Sequence, residues 1–281
     1  MYHWLRDHPD VFMAELKEPG YFIDGYGLVT DRDEYEKLFL PAHGRVAGEA
    51  TALYLASPET PGRIHAELGD VRILILLRDP VARAFSLYTM IHQLGYEPIG
   101  TFEEALAAEP ERAAHPDFAA RYKQPIWAYL YFASGLYSAQ VLAYQQRFSA
   151  VKVLLFEDLW SDPQGSFDAT CDFLGVPRQP IRSTERSNAS RRPRWPKVQV
   201  ATRRAILNCE DSRSLPKRLA KTALWQVVHA NIRMGREVRI APGTAARLRD
   251  AYADDVGRTA EVIGRDLSAW LPEGRRTPAS A

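Results

Sequence analysis

Apolar and polar positions along the chain fall into short apolar runs separated by amphipathic stretches. Two runs, Val71–Leu77 and Val151–Phe156, are nearly continuous in branched apolar residues, the pattern of strands covered on both faces. A helix is predicted after each. Asp79 and Pro80 open one that runs to Leu94 and stops at Gly95, and Asp162 and Pro163 open another that ends near Gly175. Ahead of the first strand, Pro61–Leu68 reads as a helix ended by Gly69, Asp31–Phe39 as a short helix with an acidic start, and Arg45–Thr51 as an extended piece. Met1–His8 reads as the last turns of a helix halted by Pro9, followed by an irregular stretch to Tyr26. Thr101–Glu104 is a capping box, and a longer helix over Ser134–Phe148 leads into the second strand. Strands alternating with helices predict an α/β fold built on a parallel sheet. Arg178–Lys197, dominated by proline, serine and arginine, reads as a long loop, and the chain beyond it is mostly helical, ending in the helical region Pro242–Trp270. Residues 1–272 are expected to form one domain and 273–281 a disordered tail.

Composition narrows the class. A chain of 281 residues with 46% hydrophobic side chains can bury a substantial core, which excludes disorder over most of its length. The longest uninterrupted apolar run, Ile126–Ala133, is far short of the roughly 20 residues that cross a bilayer. No membrane span or signal peptide is read. Cys171 and Cys209 have no partner at metal spacing, so neither a zinc site nor a disulfide framework is indicated, and a cytoplasmic, reducing setting is expected.

The near-neutral net charge of +1 conceals an asymmetry, because Arg182–Lys221 holds twelve basic and three acidic side chains. Such a stretch is an anion-binding footprint or a solvated basic face. It lacks the aromatic interleaving and the recognition motifs of nucleic-acid binders, so small anions are the expected partners and nucleic acid is not.

The most informative junction is Leu77-Arg78-Asp79-Pro80-Val81-Ala82-Arg83-Ala84-Phe85-Ser86-Leu87-Tyr88. Arg78 lies where a buried strand gives way to a helix, the edge at which open α/β sheets bind ligands. Helical spacing sends Val81, Phe85, Tyr88 and His92 toward the sheet and leaves Arg83 and Ser86 on roughly the opposite face. A guanidinium fork and a hydroxyl beside a helix start suit a phosphate dianion. An ion pair of Arg78 or Arg83 with Asp79, beside an idle serine, is the alternative.

This run resembles the 3′-phosphate-binding motif of sulfotransferases that use 3′-phosphoadenosine 5′-phosphosulfate, in which an arginine at a strand end and a serine eight positions later hold the ribose 3′-phosphate. Further landmarks stand in the family's order: His8-Pro9-Asp10-Val11-Phe12-Met13, Lys17-Glu18-Pro19-Gly20-Tyr21-Phe22, Gly48-Glu49-Ala50-Thr51, Phe156-Glu157-Asp158-Leu159, Phe173-Leu174-Gly175-Val176-Pro177 and Gly264-Arg265-Asp266-Leu267-Ser268-Ala269-Trp270. The resemblance spans Met1 to about Leu271. It implies a three-layer α/β/α, P-loop-like sulfotransferase fold with a helical C-terminal part, and transfer of a sulfuryl group to a hydroxyl or amine of a carbohydrate or other small metabolite, without a metal.

The same resemblance assigns roles. Arg78 and Ser86 take the 3′-phosphate, with Arg191 and Arg192 in a basic loop against it. Glu18 matches the catalytic base of the glycosaminoglycan-modifying branch, and Lys17 supplies supporting charge. An ordinary carboxylate is a weak base unless desolvation raises its pKa, so Glu18 works best if Lys17 points away from it. The alternative for this pair is a solvated loop ion pair. The aromatic cluster of Tyr122, Trp127, Tyr129, Tyr131, Phe132 and Tyr137 can line an acceptor pocket or pack in the core.

The chain departs from the family pattern in three places. No glycine-rich 5′-phosphosulfate loop is recognisable, from which a start upstream of Met1 is expected, and Ala50 and Gly20 stand where the glycosaminoglycan branch often has lysine and histidine. A fragment that keeps only the 3′-phosphate half-site and a kinase on the same fold remain as alternative functions, and the oligomeric state is open.

Overall fold

A computed structural model of the chain describes residues 1–23, 27–115, 124–182, 191–193, 195–207, 223–228, 230–234 and 239–275. The elements run in the order α1 (Tyr2–Arg6), β1 (Val11–Met13), α2 (Arg32–Lys37), β2 (Val46–Gly48), α3 (Thr60–Leu68), β3 (Ile73–Leu77), α4 (Pro80–Gln93), α5 (Phe102–Ala107), α6 (Glu109–Ala114), α7 (Tyr137–Gln145), β4 (Val151–Leu155), α8 (Asp158–Ser161), α9 (Pro163–Leu174), β5 (Arg191–Pro193), α10 (Pro196–Leu207), β6 (Ile232–Met234) and α11 (Pro242–Ile263). Two compact units emerge, one drawn from Met1–Pro80, Ser134–Thr184 and Arg249–Ala281, the other from Val81–Ala133 and Glu185–Leu248.

The first unit carries two parallel strand pairs. In one, β3 runs beside β4 with Ile73 opposite Val151 and Leu77 opposite Leu155. Both strands were legible as apolar runs, and the intervening helices make the parallel crossover. In the other, β1 pairs with β2, Val11 opposite Val46 and Met13 opposite Gly48. The sequence reading took Val11–Met13 as irregular; three residues are too few to show a period, and their pairing depends on β2, more than thirty positions away.

The core beside β1 gathers Leu5, Val11, Met13, Phe167, Cys171 and Val176, with Trp4 edge-on to Phe167. His8 is buried there, with Nε2 2.7 Å from the Pro177 carbonyl oxygen and Nδ1 accepting the Asp10 N–H at 3.1 Å. The C-terminal segment completes this unit. Asp255 of α11 receives the Ser138 hydroxyl and N–H from α7, and Arg265 reaches the Asp158 carboxylate at 2.9 Å.

In the second unit, α4 buries Val81, Ala84, Tyr88 and Ile91. This corrects the expected stripe, which placed Phe85 and His92 with Val81 and Tyr88; Phe85 is half-buried against Phe102, and His92 stacks on Tyr88. Arg83 is not on a free face either, since its guanidinium donates to the Tyr131 carbonyl at 2.7 Å. The capping box forms, Thr101 accepting the Glu104 N–H at 3.3 Å and donating to its carboxylate at 2.7 Å.

At the centre of this unit the Glu97 carboxylate, 0% exposed, receives Arg112 through two N–H···O contacts of 2.9 Å and the Tyr131 hydroxyl at 2.6 Å. Of the aromatic run, Tyr129 and Tyr131 are fully buried here, as Tyr137 is in the first unit, Trp127 and Phe132 are half-buried, and Tyr122 lies outside the described residues.

Three boundaries differ from expectation. The stretch read as loop contains β5, paired antiparallel with β6 (Arg191 opposite Met234), and α10 begins at Pro196. The helix expected from Ser134 starts with a 3-10 turn, Ala133–Gly135, before α7. The last long helix ends at Ile263 because Gly264 adopts φ +63°, and a separate turn, Ser268–Trp270, follows.

Candidate functional site

The turns that leave β1 and β2 build a carboxylate site. Because the strands are parallel, both turns emerge at the same end, and Ala14 continues the ladder by donating to the Gly48 carbonyl at 2.8 Å. Beyond that bond Glu18 donates its N–H to the Ala50 carbonyl at 3.1 Å and accepts the Ala52 N–H on Oε2 at 2.8 Å. Glu18 has φ +57°, a left-handed conformation uncommon for a residue with a Cβ, and such conformations gather at functional sites.

Gly20, at φ +70°, follows, and its N–H donates to the Thr51 hydroxyl at 3.3 Å. Thr51 in turn donates to Glu49 Oε2 at 2.8 Å, and the Tyr35 hydroxyl reaches Glu49 Oε1 at 3.4 Å. The Pro19 carbonyl accepts the N–H groups of Leu28 and Val29 at 2.9 and 3.3 Å. Gly27 makes that return possible: its φ is +126°, and a Cβ there would lie 2.8 Å from the Pro19 oxygen.

The environment tunes both carboxylates. Burial pushes the Glu18 carboxyl above its ordinary range, opposed by the Ala52 hydrogen bond and less by the Lys17 charge. Burial also raises Glu49, opposed by hydrogen bonds from Tyr54, Thr51 and Tyr35, while the neighbouring Glu18 charge pushes the same way as burial. Lys17 is exposed, with its ammonium 5.5 Å from the centre of the Tyr2 ring. The turn thus holds a half-buried carboxylate of raised pKa beside a second carboxylate, an arrangement suited to accepting a proton.

The β3–α4 junction lies at the end of the other parallel pair. Phe156 donates its N–H to the Leu77 carbonyl at 2.7 Å, which extends the β3–β4 ladder and carries its ring under Arg78. The Arg78 guanidinium carbon lies 4.9 Å from the centre of that ring, and the Arg78 carbonyl accepts the Tyr137 hydroxyl at 3.0 Å. Asp79 donates its N–H to Glu157 Oε1 at 3.2 Å. Ser86 is exposed on α4, in the second turn after the junction. Arg191 and Arg192 sit on β5, and their side chains lie outside the described residues. Among the described residues no group of three or more His, Cys, Asp or Glu side chains is placed to hold a metal ion, and no helix is long and apolar enough to cross a membrane.

Glu49 and Phe156 were given no part in the site by sequence reasoning, and Tyr137, read as an acceptor-pocket or core aromatic, binds the Arg78 carbonyl. Glu49 and Phe156 stood inside recognised landmarks, yet only the pairing of strands brings them against Glu18 and Arg78.

Comparison with known proteins bears on this geometry. No family model matches the chain. The human heparan sulfate glucosamine 3-O-sulfotransferase 3B1 is 34% identical over 181 residues, covering 62% of this chain and 42% of that protein. The membrane-associated sulfotransferase kil1 of Dictyostelium discoideum is 32% identical over 88 residues, 31% of this chain and 19% of that protein. The crystal structure of a sulfotransferase from Alicyclobacillus acidocaldarius superposes with a TM-score of 0.68 at 29% identity, covering 95% of this chain and 91% of that one. The fold is therefore the P-loop-like α/β fold of sulfotransferases. The chain is similar to sulfotransferases, and it spans about two fifths of the length of the curated 3-O-sulfotransferases it matches.

Proposed function

We propose that this protein transfers a sulfuryl group from 3′-phosphoadenosine 5′-phosphosulfate to a hydroxyl, or an amine, of a carbohydrate or other small metabolite. The observation that carries the reading is Glu18: its strained backbone aims a carboxylate that burial has made a better proton acceptor, and an amide N–H fixes one of its oxygens. The heparan sulfate enzymes among the relatives act on a carbohydrate hydroxyl, which supports that acceptor class.

Glu18 takes the acceptor proton as the acceptor oxygen engages sulfur. The bound donor supplies the sulfuryl group and a bisphosphate that leaves with the bridging electron pair. Lys17, exposed at the turn, offers positive charge to the anions that meet there. Arg78, backed by Phe156, donates to the 3′-phosphate, with Ser86 as a second donor and Arg191 and Arg192 adding positive charge. The residues fit a phosphate dianion because a stacked guanidinium keeps its N–H edges for a planar, two-point contact. The reading includes a donor used without a metal, since neutralising charge comes from arginine and lysine, and a cytoplasmic setting, for which the free thiol of Cys171 is support.

The test is a transfer assay with 35S-labelled donor and a panel of oligosaccharide and small hydroxylated acceptors, run with and without chelator. Labelled product from the wild type and none from Glu18→Gln is expected. A wild type that binds donor but labels no acceptor, or a Glu18→Gln variant as active as the wild type, counts against the assignment.

A further inference from the structure

Three hydroxyl groups converge on the Glu49 carboxylate, those of Tyr35, Thr51 and Tyr54. They come from three segments: α2, the turn after β2, and the 3-10 turn Ala52–Ala56. Placing a second carboxylate within electrostatic reach of Glu18 is unfavourable to folding, and an apolar residue there would avoid that cost. The convergence is explained if Glu49 serves the neighbouring group. Its Oε2 holds the Thr51 hydroxyl, which accepts the Gly20 N–H, and Gly20 lies two residues beyond Glu18. The same turn carries Ala50 and Ala52, the two backbone partners of Glu18.

We propose that Glu49 is a positioning residue for Glu18: through Thr51 and Gly20 it fixes the 17–20 turn on the 49–52 turn, which keeps the Glu18 carboxylate on the Ala52 N–H. The chain of contacts is short and each link is a named atom pair, so it can be cut at two places. Glu49→Ala removes the anchor, and Thr51→Val removes the relay hydroxyl while keeping the volume. Glu49→Gln retains an oxygen that accepts from Thr51 and restores the relay without the charge. The inference rests on Glu18 being the proton acceptor, and the measurements separate the two claims.

Amide hydrogen exchange at Gly20 and Ala52 reports the lock directly, in the free protein and without any acceptor. Exchange at both amides is expected to quicken by roughly tenfold or more in Glu49→Ala and Thr51→Val, with β3 and β4 amides unchanged, and to return toward the wild-type rate in Glu49→Gln. In the transfer assay kcat is expected to fall about 10- to 100-fold in the first two variants, with the KM for donor held and kcat recovered by Glu49→Gln.

Wild-type exchange at Gly20 and Ala52 in Glu49→Ala or Thr51→Val overturns the positioning claim whatever the activity. So does a loosened turn with full kcat in a protein that Glu18→Gln inactivates. A lock that responds as expected in a protein whose transfer is untouched by Glu18→Gln instead removes the assignment of Glu18 and leaves the Glu49 lock standing.

Discussion

Glu18 Oε2 accepts the N–H of Ala52 at 2.8 Å, joining two turns 34 positions apart in sequence. The bond commits one carboxylate oxygen to the scaffold and thereby orients the other. A side chain held by a backbone group moves only if a turn moves, and both turns hang from the same parallel strand pair.

A proton acceptor must be ionised, so the rate falls as pH drops through the Glu18 pKa, which burial places above the ordinary value of about 4.3. The acid limb of kcat/KM against pH is expected above that value. Lys17→Met removes a charge that lowers the Glu18 pKa, so the limb moves to higher pH, by less than about one unit because Lys17 is exposed. Glu18→Gln is expected to lose about 10²- to 10⁴-fold in kcat. A pH–rate profile flat from pH 4.5 to 8 contradicts the acid limb and its Lys17→Met shift, and wild-type kcat in Glu18→Gln contradicts the third expectation.

Arg78 is tested by nucleotide binding. Titration calorimetry with adenosine 3′,5′-bisphosphate and adenosine 5′-monophosphate isolates the 3′-phosphate. Arg78→Ala is expected to weaken the bisphosphate by about 10- to 100-fold and leave the monophosphate unchanged. Phe156→Leu, which removes the ring beneath the guanidinium, is expected to cost a few-fold on the same difference. Equal losses for both nucleotides place Arg78 elsewhere than at the 3′-phosphate.

The Glu97–Arg112 pair is a stability element. Removing one partner of a buried ion pair strands the other, so Glu97→Ala is expected to cost about 3–5 kcal/mol in urea unfolding. Tyr131→Phe removes only the hydroxyl donor and is expected to cost about 1–2 kcal/mol. Similar, small losses from both variants show that water replaces the pair.

Much of this organisation was legible in the sequence, and the limits have physical causes. β3 and β4 announce themselves as nearly continuous apolar runs, although they are not covered on both faces throughout, since Leu76 is exposed and Val151–Val153 are half-buried. The helix boundaries at Asp31, Gly69, Thr101, Asp162 and Gly175 follow from capping chemistry. Glu18 and Arg78 were singled out through the family's motifs. Their partners were not, because Ala52 meets Glu18, and Thr51, bonded to Glu49, meets the neighbouring Gly20, through long-range pairing that leaves no local signal. The α4 stripe was misplaced by one position at two points, since Val81, Ala84, Tyr88 and Ile91 fit helical spacing as well as the stripe that was chosen and Ala84 is small enough to escape notice.

Glu109 supplies a pH-dependent stability. Burial raises its pKa to about 6, even though the N–H groups of Phe132 and Ala133 hydrogen-bond to it. A carboxyl whose folded pKa exceeds its unfolded one stabilises the fold fully below the unfolded pKa and loses that contribution as pH rises through the folded value. Relative to Glu109→Gln, the wild type is expected to lose about 2 kcal/mol between roughly pH 4 and pH 7. Denaturation midpoints of the two proteins across that range check this, and curves that stay parallel refute it.

The discontinuous make-up of the first unit has a consequence for synthesis. Its strands are made early, but Ser138 finds Asp255, and Asp158 finds Arg265, only after more than a hundred further residues have been added. At typical elongation rates of about 5–20 residues per second, that leaves the nascent unit open for several seconds or longer. During that wait the buried face of α7 has no α11 to cover it, so a ribosome-bound chaperone would meet this segment before its own helix does.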